Sequence, residues 1–476
     1  MDPRADQAHL ADRRRFLRQL GVGAGALALG AFAAGPAGAM MRAAAERTGP
    51  ALAGTGRYPI RAKRVIFLFM HGGPSQVDTF DWKPLLARDD GKPLPFDKPR
   101  VQFAQTGNLL RSPWKFAQHG ESGAWVSTLF PEVAKRVDDL CFIKSLHGTN
   151  EAHGGALLAL HTGSDTFVRP SMGSWVVYGL GTENRSLPGF VTVCPTLGHG
   201  GVQNWSAAFL PGACQGVPIG NASVPARTAS FEHLANPELS RGQQSEWLEL
   251  LRAMDEDHLH THDEDRELAA RMESFALAYR MQDRAPETMD LSGESAATLK
   301  LYGVDEKPTD NFARQCLMAR RFIERGVRFV QCTHSYKWDQ HDNLKNGHEQ
   351  NASEVDKPIA GLLSDLDARG LLEDTLVLWI GEFGRTPVAQ GKDGRDHNPH
   401  GFTVWMAGGG TKAGHSHGAT DDYGYYASVD KVHVHDLHAT ILWALGLDHE
   451  KLTFRYAGRD FRLTDIAGNV VKPILA

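Results

Sequence analysis

Short apolar runs alternate along this chain with longer segments of helical spacing, and this alternation restricts the possible folds more than any other feature. The predicted strands are residues 64–70, 140–143, 190–193, 327–332, 375–380 and 402–407, and the predicted helices are residues 154–160, 311–325, 355–369 and 436–445. Continuous apolar runs are typical of strands buried on both faces. The alternation therefore predicts the α/β class, with a doubly wound, mostly parallel sheet covered by helices on both faces.

One long segment interrupts the alternation. From residue 231 to about 302 the sequence is charged and favours helix, with Trp247 and Leu251 spaced for one helix face. We interpret it as a helical insertion within a single α/β domain of residues 61–465, which a C-terminal tail of residues 466–476 follows. A chain of 476 residues, of which 42% are hydrophobic, is long enough to bury such a core.

The N-terminus has the layout of an export leader. The sequence DRRRFLR at residues 12–18 precedes a mildly apolar stretch at residues 20–34, and AGA at residues 37–39 supplies the small residues of a cleavage site. We therefore predict a twin-arginine signal peptide over residues 1–39, a linker over residues 40–60, and a mature protein in the periplasm or outside the cell. Its partner during export is then the twin-arginine translocation machinery. A retained amphipathic anchor is the weaker alternative, and no later segment predicts a membrane span.

Charge and cysteine content exclude several classes of protein. The formal net charge of −5 makes nucleic acid an unexpected partner. The five cysteines are widely spaced and contain no CxxC pair, which argues against a zinc knuckle or a disulfide scaffold. The sequence still allows one disulfide, such as Cys194 to Cys214, in an exported protein. The 22 histidines are the unusual feature, because imidazole serves as a metal ligand and as a general acid or base.

Imidazoles and carboxylates gather at the ends of the predicted strands. The predicted metal ligands are His71 and Asp78 after strand 64–70, Asp339 and His341 after strand 327–332, Glu382 after strand 375–380, and His397 and His400 before strand 402–407. In a parallel sheet, the ends of different strands meet at one edge. Segments that are distant in sequence can therefore converge there on one or two divalent ions.

Several of these residues have a plainer structural alternative. Asp339 and His341 could cap a helix and share a surface hydrogen bond. Glu382, at the end of an apolar strand, needs a cation or several donors, and Arg385 could be that partner. In the functional alternative, Arg385 binds an anionic oxygen of the substrate.

Several motifs, taken together, resemble a known family. They are HGGPSQVDTFDWKP at residues 71–84, WDQHDN at 338–343, GEFGRTP at 381–387, GRDHNPHGFTVWMAGGG at 394–410 and GATDDYG at 418–424. With the leader, they resemble a bacterial family of twin-arginine-exported proteins that is defined only as a domain of unknown function and placed in the alkaline phosphatase and sulfatase superfamily. The resemblance covers residues 60–465.

The superfamily implies an alkaline phosphatase-like α/β sandwich that holds divalent metal ions, such as zinc, calcium or manganese. It also implies in-line attack on phosphate or sulfate esters by a hydroxyl or formylglycine nucleophile. By this resemblance His71 replaces the first-strand aspartate, with Asp78 as a second candidate, and Glu382 replaces a later carboxylate ligand. His400 matches the last histidine ligand, and the Asp-x-His segment at 339–341 matches the remaining ligands loosely.

The segment HGGALLALHTG at residues 153–163 resembles the superfamily segment that begins with the nucleophile, which places His153 at the nucleophile position. His153 is then a nucleophile, a metal ligand or a general base, and we favour the ligand and base roles. The hydroxyls of Ser145 and Thr149 are off the register of this motif and are expected to cap a helix or turn.

The functional hypothesis is an exported metal-dependent hydrolase of sulfate or phosphate esters, with His153 and Arg385 as catalytic residues. Its substrate would be an anionic small-molecule or carbohydrate-linked ester. The alternative is a non-catalytic binding or assembly protein that keeps the fold and a metal site, which the altered nucleophile position favours. A phosphoryl transferase is a third alternative, against which the export signal weighs.

Overall fold

The computed structural model describes residues 58–97, 105–261 and 266–476. The predicted signal peptide and nearly all of the predicted linker lie outside these described residues, so export stays a prediction. Within the described residues, no helix combines the length and the apolar character that crossing a bilayer requires.

The secondary structure follows the predicted alternation. The strands, numbered in chain order, are β1 Arg64–Met70, β2 Thr106–Leu109, β3 Phe116–His119, β4 Ala124–Ser127, β5 Leu140–His147, β6 Phe190–Val193, β7 Val217–Ile219, β8 Phe329–His334, β9 Thr375–Ile380, β10 Gly384–Gln390, β11 Gly394–Asn398, β12 Phe402–Ala407, β13 His415–His417, β14 Ala419–Thr420, β15 Ala427–Val429, β16 Val432–His433, β17 Phe454–Tyr456 and β18 Arg459–Phe461. The α-helices are α1 Gln76–Thr79, α2 Pro84–Arg88, α3 His153–Thr162, α4 Met172–Leu180, α5 Arg241–Thr261, α6 Arg266–Met289, α7 Ala296–Tyr302, α8 Asp310–Glu324, α9 Leu344–Ala368 and α10 Val434–Ala444. Short 3-10 helices span Val133–Asp139, Gly201–Trp205, Gly212–Cys214, Leu372–Asp374 and Lys472–Ile474.

The central sheet is mainly parallel, which confirms the predicted α/β class. Its strand order is β13-β5-β12-β9-β1-β8-β6-β7, and β16 adds a further parallel pairing to β5. Strand β1 pairs in parallel with β8 and β9, and β6 pairs in parallel with β7 and β8. Strand β12 alone on this path runs antiparallel to both neighbours, β5 and β9.

The reversed direction of β12 decides where the site forms. Because β12 begins at the edge where its neighbours end, the residues before β12 lie at the same edge as the residues after β1, β5, β8 and β9. Strands β10 and β11, which form a small sheet with β2, come just before β12 in the chain. Strand β11 thus carries residues 394–398 towards the ends of the parallel strands.

Both faces of the sheet are buried. Along β1, Ile66 and Leu68 belong to one hydrophobic cluster, whereas Val65 and Phe67 belong to another. Helices α8 and α9 pack into the first cluster, and helices α4 and α10 into the second. This two-sided burial explains why the strands are apolar runs without an alternating pattern.

The predicted insertion at 231–302 contains helices α5, α6 and α7, of which α5 and α6 lie against each other. Helix α9 corrects the predicted helix 355–369, because it begins at Leu344, straight after Asn343 in a left-handed conformation (φ 49°). The sequence 344–354 is polar enough to hide the first turns of this helix from a search for apolar spacing.

Residues 466–476, the predicted C-terminal tail, contact the domain, because Ile474 is buried and its carbonyl accepts a hydrogen bond from the amide of Lys412 at 2.8 Å. Cys194 and Cys214 are both buried and unpaired, as are the other three cysteines, so the disulfide left open by the sequence is absent from the described residues.

Candidate metal centre

Loops at the carboxyl edge of the sheet bring together side chains from distant parts of the chain. His71 follows β1 directly, His153 is the first residue of α3, Asp339 and His341 lie between β8 and α9, Glu382 lies between β9 and β10, and His397 lies on β11. The sequence predicted each of these residues at the site.

The carboxylate of Asp339 is the meeting point of three imidazoles. Nε2 of His341 lies 2.9 Å and Nε2 of His397 lies 3.1 Å from Oδ1 of Asp339. Nε2 of His153 lies 3.3 Å from Oδ2. The ligand atoms of these four residues all lie within 4.8 Å of one another, so they could hold a metal ion.

The opposite nitrogen of each imidazole is held by an oxygen acceptor. Nδ1 of His153 lies 2.7 Å from Oε1 of Glu382, and Nδ1 of His397 lies 2.6 Å from the backbone carbonyl oxygen of Glu151. Nδ1 of His341 contacts the amide oxygen of Gln390. Because these oxygens carry no proton, each Nδ1 must donate, which in the neutral imidazole leaves a lone pair on Nε2. We assign the three tautomers on this ground.

This assignment makes the centre electrostatically incomplete without a cation. Three neutral imidazoles would point their lone pairs at a carboxylate, which is repulsive. If all three were protonated, their charges and that of Arg385 would be balanced only by the two negative charges of Asp339 and Glu382. Ligating histidines in metal sites show the same arrangement, with Nδ1–H donated to an oxygen and Nε2 free for the ion. The donor set therefore fits a divalent metal ion.

The pKa values reflect this competition. Burial opposes charge on His153, but its hydrogen bonds to Asp339 and Glu382 outweigh burial and raise its pKa. The bond to Asp339 raises the pKa of His341, whereas burial lowers that of His397. Burial would raise the pKa of Asp339, but hydrogen bonds from the three imidazoles hold it well below its usual range.

His71, His153 and Glu382 form a second group whose ligand atoms also lie within 4.8 Å of one another. Both carboxylate oxygens of Glu382 accept the amide of Gly72, at 2.9 and 3.1 Å. Burial would raise the pKa of Glu382, but His153 and His71 outweigh it and lower the pKa. Burial lowers the pKa of His71 to about 4, so this imidazole is neutral at pH 7. Its buried Nδ1 has no hydrogen-bond partner among the residues that the structure describes. His153 belongs to both groups and joins them.

The turn after β1 explains the glycines of the first motif. Gly72 adopts a φ of +115°, and a Cβ there would lie 2.7 Å from the backbone nitrogens of Trp338 and Asp339. Only glycine allows this close approach. The turn lets the loop that carries Asp339 close over β1.

Two of the predicted ligands, Asp78 and His400, lie outside both candidate groups. Asp78 forms a fully buried ion pair with Arg395, at 2.6 Å, and its carboxylate also accepts the hydroxyl of Ser75. His400 packs its ring against Tyr425 and Tyr426 outside both ligand groups. Of the two histidines that flank Pro399, it is His397 that reaches the centre.

The guanidinium of Arg385 contacts Asp339 and three backbone carbonyl oxygens. It is fully buried and contacts Oδ1 of Asp339 at 2.6 Å. Its remaining donors reach the carbonyl oxygens of Gly72, Gly73 and Arg395. These contacts hold Asp339 in place, and the binding of a substrate anion by Arg385 stays a prediction.

The structure adds two residues that the sequence did not single out. Nδ1 of His199 lies 3.3 Å from Nε2 of His71, and its ring stacks on His153 with centroids 4.9 Å apart. The hydroxyl of Tyr336 donates to Oδ2 of Asp339. Both follow predicted strands, so extending the search a few residues past β6 and β8 would have found them.

The family can now be named. Residues 62–475 match the model of the family described as "Protein of unknown function (DUF1501)". The chain belongs to this DUF1501 family. This membership confirms the predicted resemblance to a family defined only as a domain of unknown function. No curated protein matches the DUF1501 chain in sequence.

Several solved structures are similar to this DUF1501 chain. The lipoteichoic acid synthase LtaP from Listeria monocytogenes is 8% identical, with 86% of this chain and 76% of that chain covered and a TM-score of 0.37. The alkaline phosphatase from the Antarctic bacterium TAB5 is 9% identical, with 82% and 99% covered and a TM-score of 0.35. The PsFucS1 sulfatase from Pseudoalteromonas sp. is 11% identical, with 82% and 69% covered and a TM-score of 0.34.

Proposed function

We propose that this DUF1501 protein is a metal-dependent hydrolase of phosphate or sulfate esters that works in the periplasm or outside the cell. One observation carries the proposal: three imidazoles with fixed Nδ1 donors turn their Nε2 atoms towards the carboxylate of Asp339. A set of three imidazoles and a carboxylate favours zinc or manganese over calcium, which prefers oxygen ligands. A divalent ion there would act as a Lewis acid on the ester oxygen.

The surrounding chain suits an anionic substrate. Helix α3 begins at His153, which belongs to the centre, and has no side-chain cap, so its first backbone amides carry their partial positive charge beside His153. A helix N-terminus of this kind binds phosphate and sulfate groups well. His153 itself is held by Glu382 and Asp339, which fits a ligand or positioning role. The alcohol part of the ester, whether a small molecule or a carbohydrate, is left open.

Export by the twin-arginine pathway belongs to the same proposal. The pathway carries folded proteins, and the ligands here come from segments spread between residues 71 and 397. Folding and metal loading before export would protect such a composite centre.

Metal content is the decisive measurement. The full chain, expressed with its leader and purified after processing, should hold at least about one tightly bound divalent ion by elemental analysis. His397→Ala should lower that content, whereas His400→Ala should keep it, because His400 lies outside both ligand groups. Less than about one ion in the wild-type protein would remove the metal proposal.

A second candidate is a binding or assembly protein that keeps the metal site and lacks turnover. The observation that favours it is that the usual nucleophile position holds an imidazole, His153, whose Nδ1 is bonded to Glu382, so that position offers no hydroxyl nucleophile. Metal-loaded protein assayed with phosphate monoesters, phosphate diesters and aryl sulfates separates the two. Turnover that His153→Ala and Glu382→Ala abolish excludes a pure binder, and bound metal without turnover on the whole panel supports it.

A further inference from the structure

The centre lacks a hydroxyl at the position where the sequence comparison placed the nucleophile. His153 stands there, with Nδ1 bonded to Glu382 and Nε2 facing Asp339. The nearby hydroxyl of Ser145 donates to the carbonyl oxygen of Asp430 at 2.6 Å. In the hydrolase proposed above, Nε2 of His153 binds the metal ion, and Ser145 belongs to neither ligand group.

Tyr336 brings a hydroxyl to the centre from another direction. It lies in the loop after β8, and its phenolic hydroxyl donates to Oδ2 of Asp339, the oxygen that also faces His153. Its ring centroid lies 4.6 Å from that of His71 and 5.1 Å from that of His153. Tyr336 therefore contacts members of both ligand groups.

Tyr336 is also accessible, unlike most of its neighbours. Its relative exposure is 43%, whereas His71 is fully buried and Glu382 is 4% exposed. A substrate that approaches from solvent can therefore reach the side chain of Tyr336. Asp339 orients the hydroxyl by accepting its hydrogen bond, and the amides of α3 could bind the substrate's anionic oxygens.

We propose that Tyr336 is the covalent nucleophile of the hydrolase, an inference that rests on the function proposed above. In the first step, the phenolic oxygen forms a bond to phosphorus as the bond from phosphorus to the ester alcohol breaks. The phenolic proton passes to Oδ2 of Asp339, which already accepts its hydrogen bond, and the alcohol leaves with the electron pair and takes up a proton from solvent. In the second step, water attacks phosphorus, the bond to Tyr336 breaks, the phenol regains a proton, and inorganic phosphate departs. A sulfate ester would react in the same way at sulfur.

Acid quenching during turnover tests the intermediate directly. Metal-loaded full-length protein is mixed with p-nitrophenyl phosphate, quenched in acid and examined by intact and peptide mass spectrometry. Phosphotyrosine survives acid, whereas phosphohistidine is lost. We expect one phosphoryl group on the peptide that contains Tyr336, together with a burst of p-nitrophenol. An acid-labile phosphoryl group, or none during active turnover, would overturn the proposal.

The variant Tyr336→Phe gives a second, independent measurement. It should lower kcat by about 1,000-fold or more while the metal content stays at the wild-type level. Tyr423→Phe is the matched control, because its phenol likewise donates to an aspartate, Asp89, at 2.8 Å and outside the ligand groups. This control should keep wild-type kcat.

The outcomes separate the two proposals. Wild-type turnover that persists in Tyr336→Phe refutes the role of Tyr336 and leaves the hydrolase proposal standing. Metal-loaded wild-type protein without turnover on the whole ester panel refutes the hydrolase proposal and the role of Tyr336 together.

Discussion

At the scale of single residues, the oxygen at Nδ1 decides what each imidazole of the centre can bind at Nε2. Gln390 supplies that oxygen for His341, and its amide is nearly buried at the end of β10. The alternative acceptor, Oδ1 of Asp396, lies 3.8 Å from the same nitrogen, which is too far for a hydrogen bond. His341 therefore depends on Gln390 for its tautomer.

We predict that Gln390→Leu weakens metal binding by about 10- to 100-fold, because His341 loses the partner that keeps its lone pair on Nε2. Competition with a chelator of known affinity measures the change. Gln243→Leu, on the exposed side of α5, is the control and should bind metal as the wild type does. Equal affinities for Gln390→Leu and wild type would contradict the assigned tautomer.

The residues that could be predicted from sequence are those that follow a recognisable strand. His71 and Glu382 come directly after apolar runs, so their place at the sheet edge follows from the strand alone. The choice between His397 and His400 depends on how the chain turns around Pro399, which no spacing rule encodes. Asp78 could not be excluded either, because its partner Arg395 lies more than 300 residues away in sequence.

At the scale of elements, the ion pair between Asp78 and Arg395 joins α1 to β11, the strand that carries His397. The contact is bidentate, at 2.6 and 3.2 Å, and both side chains are fully buried. Burial would raise the pKa of Asp78, but Arg395 outweighs it and lowers the pKa. The pair thus holds α1 against β11 and helps to fix the strand that carries His397.

We predict that Asp78→Asn lowers the free energy of unfolding by about 3–5 kcal/mol, because it leaves the Arg395 charge buried without a counterion. Urea unfolding measures this loss. Asp90→Asn, which removes a solvent-exposed contact with Arg111, should cost less than about 1 kcal/mol. If the purified Asp78→Asn protein is as stable as wild type but has lost its metal, Asp78 is a ligand after all.

At the scale of the whole molecule, the alternation of runs was sufficient for the fold class, but the strand order was not predictable from it. The order joins β5 to β12 and β12 to β9, pairs that are far apart in sequence or reversed in direction. Because β12 is reversed, the residues before it lie at the same sheet edge as the residues after β1, β5, β8 and β9. Local patterns carry no information about such long-range pairing.

The fold also buries histidines that take no part in the centre, and they make its stability depend on pH. Burial lowers the pKa of His438 and of His348 to about 3 and that of His161 to about 4, from 6.5. Nε2 of His438 contacts the carbonyl oxygen of Leu160 near the end of α3. All three imidazoles are therefore neutral in the folded protein at pH 5.

We predict that the free energy of unfolding is greatest above pH 6.5 and falls as the pH drops towards 3. Below pH 6.5 the unfolded chain protonates these histidines and the folded chain does not, so acid favours unfolding. His438 alone should account for about 2 kcal/mol between pH 7 and pH 5. Urea unfolding of chelator-treated His438→Gln should show a correspondingly shallower pH dependence than wild type. The control is His119→Gln in the β3–β4 hairpin, and equal slopes for all three proteins would mean that His438 is charged in the fold.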